Sequence, residues 1–205
     1  TSWDEKTAKP FDTAVKGKSV IQAAMRRTWQ MEVNQIEKNK VVQFLWDYDK
    51  FYDSVNLEIL MEKLQALRYP AVMMMLGAVQ HRAPRVLKVG ATFSKIIPQF
   101  GCSILAGCQQ SVSFVRGLLL DLVVSLGYQM SREVSTCYQH VDDLAQVVAD
   151  PSGRCVVQAG VDIGRRVQIG SDRLKLKIST KSSIGPNCKE ARAIARDLKA
   201  GGLSV

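Results

Sequence analysis

Thr136-Cys137-Tyr138-Gln139-His140-Val141-Asp142-Asp143-Leu144-Ala145-Gln146-Val147-Val148-Ala149 is the stretch that decides how this chain folds. Residues 136–141 and 144–149 are two runs rich in strand-forming side chains. Only Asp142-Asp143 separates them, which is the length of a tight hairpin. Aspartates are common in such turns because they hydrogen-bond their own backbone, so the pair alone carries little chemistry. A second run, Val41 to Trp46, has the composition of a buried strand, and it too stops at an acid, Asp47. If these strands are neighbours, three carboxylates converge at one edge of a sheet. There they repel one another unless a cation lies between them. Mg²⁺ is the natural occupant, since it takes oxygen ligands and keeps positions open for substrate phosphate.

The flanking elements follow from periodicity. Residues 16–40 carry Ile21, Met25, Trp29, Val33 and Ile36 at spacings of three and four, one face of a helix. Asn56 is placed to cap a helix bearing Leu57, Leu60, Leu64 and Leu67. Tyr69-Pro70 ends it and opens another, whose core side reads as Met73, Leu76 and Val79. Residues 85–89 and 96–100 flank Gly90-Ala91-Thr92 as a second hairpin. Ser111 caps a long helix running to about Leu126, with Val115, Leu118, Leu119, Leu122 and Val123 inward. A helix is expected over 156–167. Leu174, Leu176 and Ile178 alternate with lysines as a half-exposed strand. A last helix over 189–199 ends at Gly201-Gly202. The residues before Val15 are polar and irregular. This order predicts an α+β fold, an antiparallel sheet with helices on one face.

Composition narrows the class. With 46% apolar and 23% charged residues in 205, the chain is neither a disordered tail nor a coiled coil. The longest apolar run, 71–79, is far below the roughly 20 residues of a membrane span, and no secretory leader opens the sequence. The chain starts at Thr1, and it is expected to be a piece of a longer, intracellular polypeptide, with nucleus and cytoplasm unresolved. Five cysteines, an odd number without a C-x-x-C pair, argue against zinc and disulfides and for buried reduced thiols. The formal charge is +9. Leu64 to Gly117 contains no acid, yet holds Arg68, Arg82, Arg85, Lys88, Lys95 and Arg116. A basic body with small acidic foci suits a protein that tracks phosphates around a metal centre.

Trp46-Asp47-Tyr48-Asp49-Lys50-Phe51-Tyr52-Asp53-Ser54-Val55 resembles motif A of reverse transcriptases, an Asp followed five positions on by an aromatic. Tyr138-Gln139-His140-Val141-Asp142-Asp143 resembles motif C. Gly107-Cys108-Gln109-Gln110-Ser111 resembles motif B, and Leu174 to Lys181 resembles motif D. Gly17-Lys18-Ser19 and its helix look like the segment that enters the palm from the fingers. Each motif is weak alone. Four in order over residues 16–185 are specific, and their flavour is that of the non-LTR retrotransposon and group II intron branch.

The resemblance implies a polymerase palm with partial fingers. Residues 1–40 would be partial fingers and the helix leading inward, 41–59 the motif A part of the palm, 60–98 a fingers-like insertion, and 99–205 the rest of the palm, with no thumb. It implies an RNA-directed DNA polymerase that adds dNTPs to a DNA primer on an RNA template, assisted by two Mg²⁺ ions. Asp47 and Asp142 would hold both ions, with Asp143 in support and the backbone carbonyl of Tyr48 in one ion's shell. Tyr52 would sit under the incoming sugar and reject a 2′-hydroxyl by collision. Gln110 would line the nucleotide pocket, and Lys181 would stabilise the leaving pyrophosphate. Asp53 would hold its loop by hydrogen bonds, and Arg82, Arg85 and Lys88 would follow template or primer phosphates. Its partners would be nucleic acid and the remaining fingers, thumb and any nuclease domain of the parent polypeptide, with no membrane. Two departures stand out. Ser111 replaces the usual glycine after Gln110, and His140 stands where the family carries an aromatic. They keep open a catalytically decayed palm that binds RNA. An RNA-templated RNA polymerase is the other alternative, against which Tyr52 argues.

Overall fold

The computed structural model describes residues 3–99, 101–128, 135–186 and 188–203. Its centre is a four-stranded antiparallel sheet in the order β4-β5-β1-β6: β1 (Lys40–Trp46), β4 (Ser135–His140), β5 (Asp143–Asp150) and β6 (Ser183–Gly185). Successive side chains of a strand face opposite sides. Phe44, Trp46 and Tyr48 therefore all enter the main core, and the rings of Phe44 and Trp46 stack with centroids 5.3 Å apart. On that side lie α6 (Ser111–Tyr128), α7 (Gly153–Arg173), α8 (Lys189–Ala200) and α4 (Leu57–Ala66). The close approach of α7 depends on glycine: a Cβ at Gly160 would stand 2.5 Å from Ile194 Cδ1 and 3.1 Å from Phe44 Cζ.

The expected α+β class and antiparallel sheet are what the structure contains, and several local expectations need correction. In the hairpin, His140 pairs with Asp143, so the two turn residues are Val141 and Asp142 and β5 begins at Asp143. The predicted strand over 174–178 is absent as a strand. Leu174 is instead the C-cap of α7, and Lys175, at φ 57°, takes the left-handed position after it. The amides of Lys175 and Leu176 donate back to the carbonyls of Asp172 (3.0 Å) and Ser171 (2.9 Å). That is a Schellman cap, whose buried Leu174 and Leu176 imitate strand alternation. The ladder with β1 is made by β6 instead.

The outer elements also differ. The helix α2 (Val20–Ile36) forms with Ser19 as its N-cap. It lies on the opposite side of the sheet, where its Gln30 bonds Thr136 Oγ1 (2.7 Å) and Tyr138 Oη (2.9 Å). The apolar face read for it points outward, with Trp29 58% and Ile36 80% exposed. In α5 (Ala71–Arg82), which follows Pro70, the buried residues are Gly77 and His81, while Met73, Leu76 and Val79 are exposed. The second hairpin is shorter than expected, β2 (Lys88–Val89) with β3 (Thr92–Phe93), extended by one bridge between Arg85 and Ile97; Phe100 lies outside the described residues.

The N-terminal segment is ordered. It forms α1 (Trp3–Thr7), and Asp12 makes a parallel bridge with Gln139 on the outer edge of β4. Arg116, counted above among the basic residues, is buried, bonding Asp4, Asp12 and the carbonyl of Ala14. All five cysteines are free, but only Cys137 is buried, with its thiol pushed up to about 12 by that burial. Among the described residues no helix is long and apolar enough to cross a membrane.

Candidate active site

The register places the acids. Trp46 pairs with Leu144, so Asp47, one residue beyond β1, stands across from Asp143 on the side of the sheet away from α6 and α7. Asp142 occupies the turn beside them. Its carboxyl titrates above the usual range, chiefly because it is partly buried and further because Asp143 and Asp47 repel its charge, with His140 opposing. The three acids far apart in sequence are thus electrostatically coupled at one end of the sheet. Tyr52 belongs to the same place. Lys50 takes a left-handed backbone (φ 49°) and turns the chain into α3 (Phe51–Ser54). The Tyr52 hydroxyl is raised by burial and by the charges of Asp142 and Asp143.

Asp47, Asp143 and His140 line a cleft of about 350 Å³, with Lys181 and Arg27 also in its wall. Two carboxylates and two cations therefore share one cavity. Tyr48, by contrast, is buried, and its hydroxyl meets Ser171 Oγ at 3.2 Å; burial pushes that hydroxyl up to about 12. Gln110 is not brought to this cleft. Its side-chain oxygen is buried against α5, 2.5 Å from where a Cβ on Gly77 would stand, and has no hydrogen-bond partner. Asp53 Oδ1 accepts from Ser103 Oγ at 3.5 Å, and Ser103 Oγ accepts from Arg85 Nη1 at 3.0 Å, so Arg85 ties two loops together.

Several supporting residues were not read from the sequence. The Asp47 amide donates to Ser182 Oγ (3.0 Å), and its carbonyl accepts from the amide of Ser179 (2.8 Å) and from Ser182 Oγ (3.2 Å). Gln139, buried, donates from Nε2 to the carbonyl of Val141 (2.9 Å) and holds a turn in which Val141 has φ 55°. Thr13 Oγ1 meets His140 Nδ1 at 3.1 Å. The serine-rich run around Lys181 was the only signal for any of these.

The donor chemistry of Asp47, Asp142 and Asp143 suits a hard cation, whose charge would relieve the repulsion that raises Asp142. As the side chains stand, no group of three or more His, Cys, Asp or Glu residues among the described ones is arranged to hold a metal ion.

No family model and no curated protein matches the sequence. Solved structures do match. Telomerase from Candida tropicalis in complex with the TWJ fragment of telomeric RNA superposes with a TM-score of 0.60 over 92% of this chain, at 10% identity. Apo telomerase from the same organism, truncated from the C-terminal domain, gives 0.56 over 83% at 12% identity. Telomerase from Candida albicans with the same RNA fragment gives 0.52 over 83% at 12% identity. The chain spans about a third of the length of these neighbours, 32%, 36% and 31% respectively.

Proposed function

The fold is that of a reverse-transcriptase-like polymerase, shared with telomerase. On that premise we propose that this chain is the palm, with partial fingers, of an RNA-directed DNA polymerase of the non-LTR retrotransposon or group II intron-like branch. The branch rests on the sequence motifs, as does the division into fingers (1–40 and 60–98) and palm (41–59 and 99–205). The observation that carries the reading is the coupling of Asp47 with Asp142 and Asp143 at one end of the sheet, with Lys181 in the same cleft.

In this reading Asp47, Asp142 and Asp143 hold two Mg²⁺ ions. Bound there, the ions supply acidification of a primer 3′-hydroxyl and neutralisation of charge on the α-phosphate of a dNTP. The chain's own groups do the rest. Ser179 and Ser182 fix the backbone of Asp47, and Gln139 fixes the turn that carries Asp142, which keeps the donors in register. Lys181 places a positive charge where pyrophosphate would depart. Tyr52 closes the floor beside the acids and selects against a 2′-hydroxyl. An RNA template, a DNA primer and the rest of the parent polypeptide complete the assembly. Gln110 has no part unless its side chain leaves α5.

The test is primer extension by the parent polypeptide. Mg²⁺-dependent incorporation of dNTPs, abolished by Asp142→Asn, is expected, with Tyr52→Ala admitting rNTPs. RNA binding without extension, indifferent to Mg²⁺ and to Asp142→Asn, would instead identify the decayed palm. That second reading is favoured by the absence of a preformed three-ligand group among the described residues. Incorporation of rNTPs by the unmodified protein would identify an RNA-templated RNA polymerase.

A further inference from the structure

A second cavity, of about 650 Å³, opens beside the acidic cleft and shares Thr13, Ala23 and Tyr138 with it. It lies between the first turns of α2, the segment 10–13 and the outer edge of β4, and no Asp or Glu lines it. The N-terminus of a helix presents amides outside the helical ladder and a partial positive charge. Arg26 stands in the wall nearby, and it makes no hydrogen bond or ion pair among the described residues. Lys18 plays a different part: its ammonium is held by the carbonyls of Lys9 (2.9 Å), Pro10 (3.1 Å) and Asp12 (2.7 Å), which shapes the rim.

The floor gives an independent sign of a ligand. Ser135 lines the cavity, is only 7% exposed, and its buried hydroxyl has no hydrogen-bond partner. Gln139 directs both its backbone amide and its carbonyl outward, to Phe11 and Thr13. The two-residue period of a strand turns the backbone groups of Cys137 and Ser135 the same way, along the cavity. The remaining wall includes the rings of Phe11 and Tyr138. The cavity therefore offers a cation, a helix N-terminus and unpartnered donors at one end, and aromatic surface beside them.

We propose that this cavity binds a phosphate monoester carried on an aromatic body, a nucleoside monophosphate in class, independently of the acidic cleft. The phosphate lies against the start of α2, Arg26 and Ser135, and the base lies along Phe11 and Tyr138. The source is either a free mononucleotide or the 5′-phosphorylated end of a strand.

The experiment is a ¹H–¹⁵N NMR titration of the 205-residue chain with 5′-AMP, inorganic phosphate and a short 5′-phosphorylated oligonucleotide. The amides at the start of α2 and along β4 are expected to shift with 5′-AMP. Arg26→Ala, at a residue with no structural partner, should weaken binding by about tenfold, the scale of one lost charge-assisted contact. Ser135→Ala should weaken it less, and Asp47→Asn should leave it unchanged. Binding of 5′-AMP that is lost in Asp47→Asn, or unchanged in Arg26→Ala, overturns the proposal. Equal affinity for inorganic phosphate overturns the ligand class. Tighter binding of the oligonucleotide than of 5′-AMP identifies a strand end as the source, and equal binding identifies the free nucleotide.

Discussion

The sheet with its helical layer and the outer pair α2 and α5 obey the same sequence rule with opposite outcomes. On β1, α4 and α6, apolar periodicity coincides with burial: Phe44, Leu60, Leu64, Val115 and Leu119 are all 0% exposed. On α2 and α5 an equally regular apolar pattern faces outward, as at Ile21 (73% exposed) and Val79 (71%). Periodicity thus reports that a helix has an apolar side. Whether that side is covered depends on what else is folded against it, which the pattern does not contain.

The largest expected effect lies in the sheet. Phe44→Ala removes a side chain enclosed between its neighbours and α7, and should cost about 3–5 kcal/mol in a denaturant titration. A loss under about 1 kcal/mol would mean that the two regions are not packed differently at all. At the other extreme of burial, Asp142 opposes folding mildly. Its carboxyl holds a proton more tightly in the folded chain than in the unfolded one. The stability that this proton contributes is fully present below the unfolded carboxylate range and is lost as pH rises through the raised folded value. Asp142→Asn should therefore raise Tm at pH 7 by about 1–3 °C in metal-free buffer, the shift given by under about 1 kcal/mol after screening. The same variant should show no such gain at pH 3. The smallest effect belongs to the outer helices: Trp29→Ser and Leu76→Ser should change the stability of this chain by no more than about 0.5 kcal/mol. A large destabilisation by either would show that those faces are buried in solution.

The same contrast marks what was legible in the sequence. The run Val41–Trp46 and the two arms of the acidic hairpin were readable because a strand's alternation and a two-residue turn are local. The hairpin register was displaced by one residue, since an Asp-Asp pair invites placing both acids in the turn, whereas Val141 takes the left-handed position. Residues 174–178 misled for a sharper reason: a helix cap with Lys175 in place of glycine gives the same in-out pattern as a strand. At the candidate site, the acids and Lys181 could be picked out by type and order. Ser179, Ser182 and Gln139 could not, because side chains that bond a distant backbone leave no periodicity. Gln110 carried a motif, yet its oxygen faces α5.

The central claim is that Asp47, Asp142 and Asp143 act together on divalent metal. The most direct measurement is Mn²⁺ binding to the 205-residue chain, followed by electron paramagnetic resonance and competed with Mg²⁺. The account predicts specific binding that Mg²⁺ displaces, lost in Asp142→Asn and in Asp47→Asn alike. Mn²⁺ binding that ignores either substitution would contradict it, as would its absence from the unmodified chain.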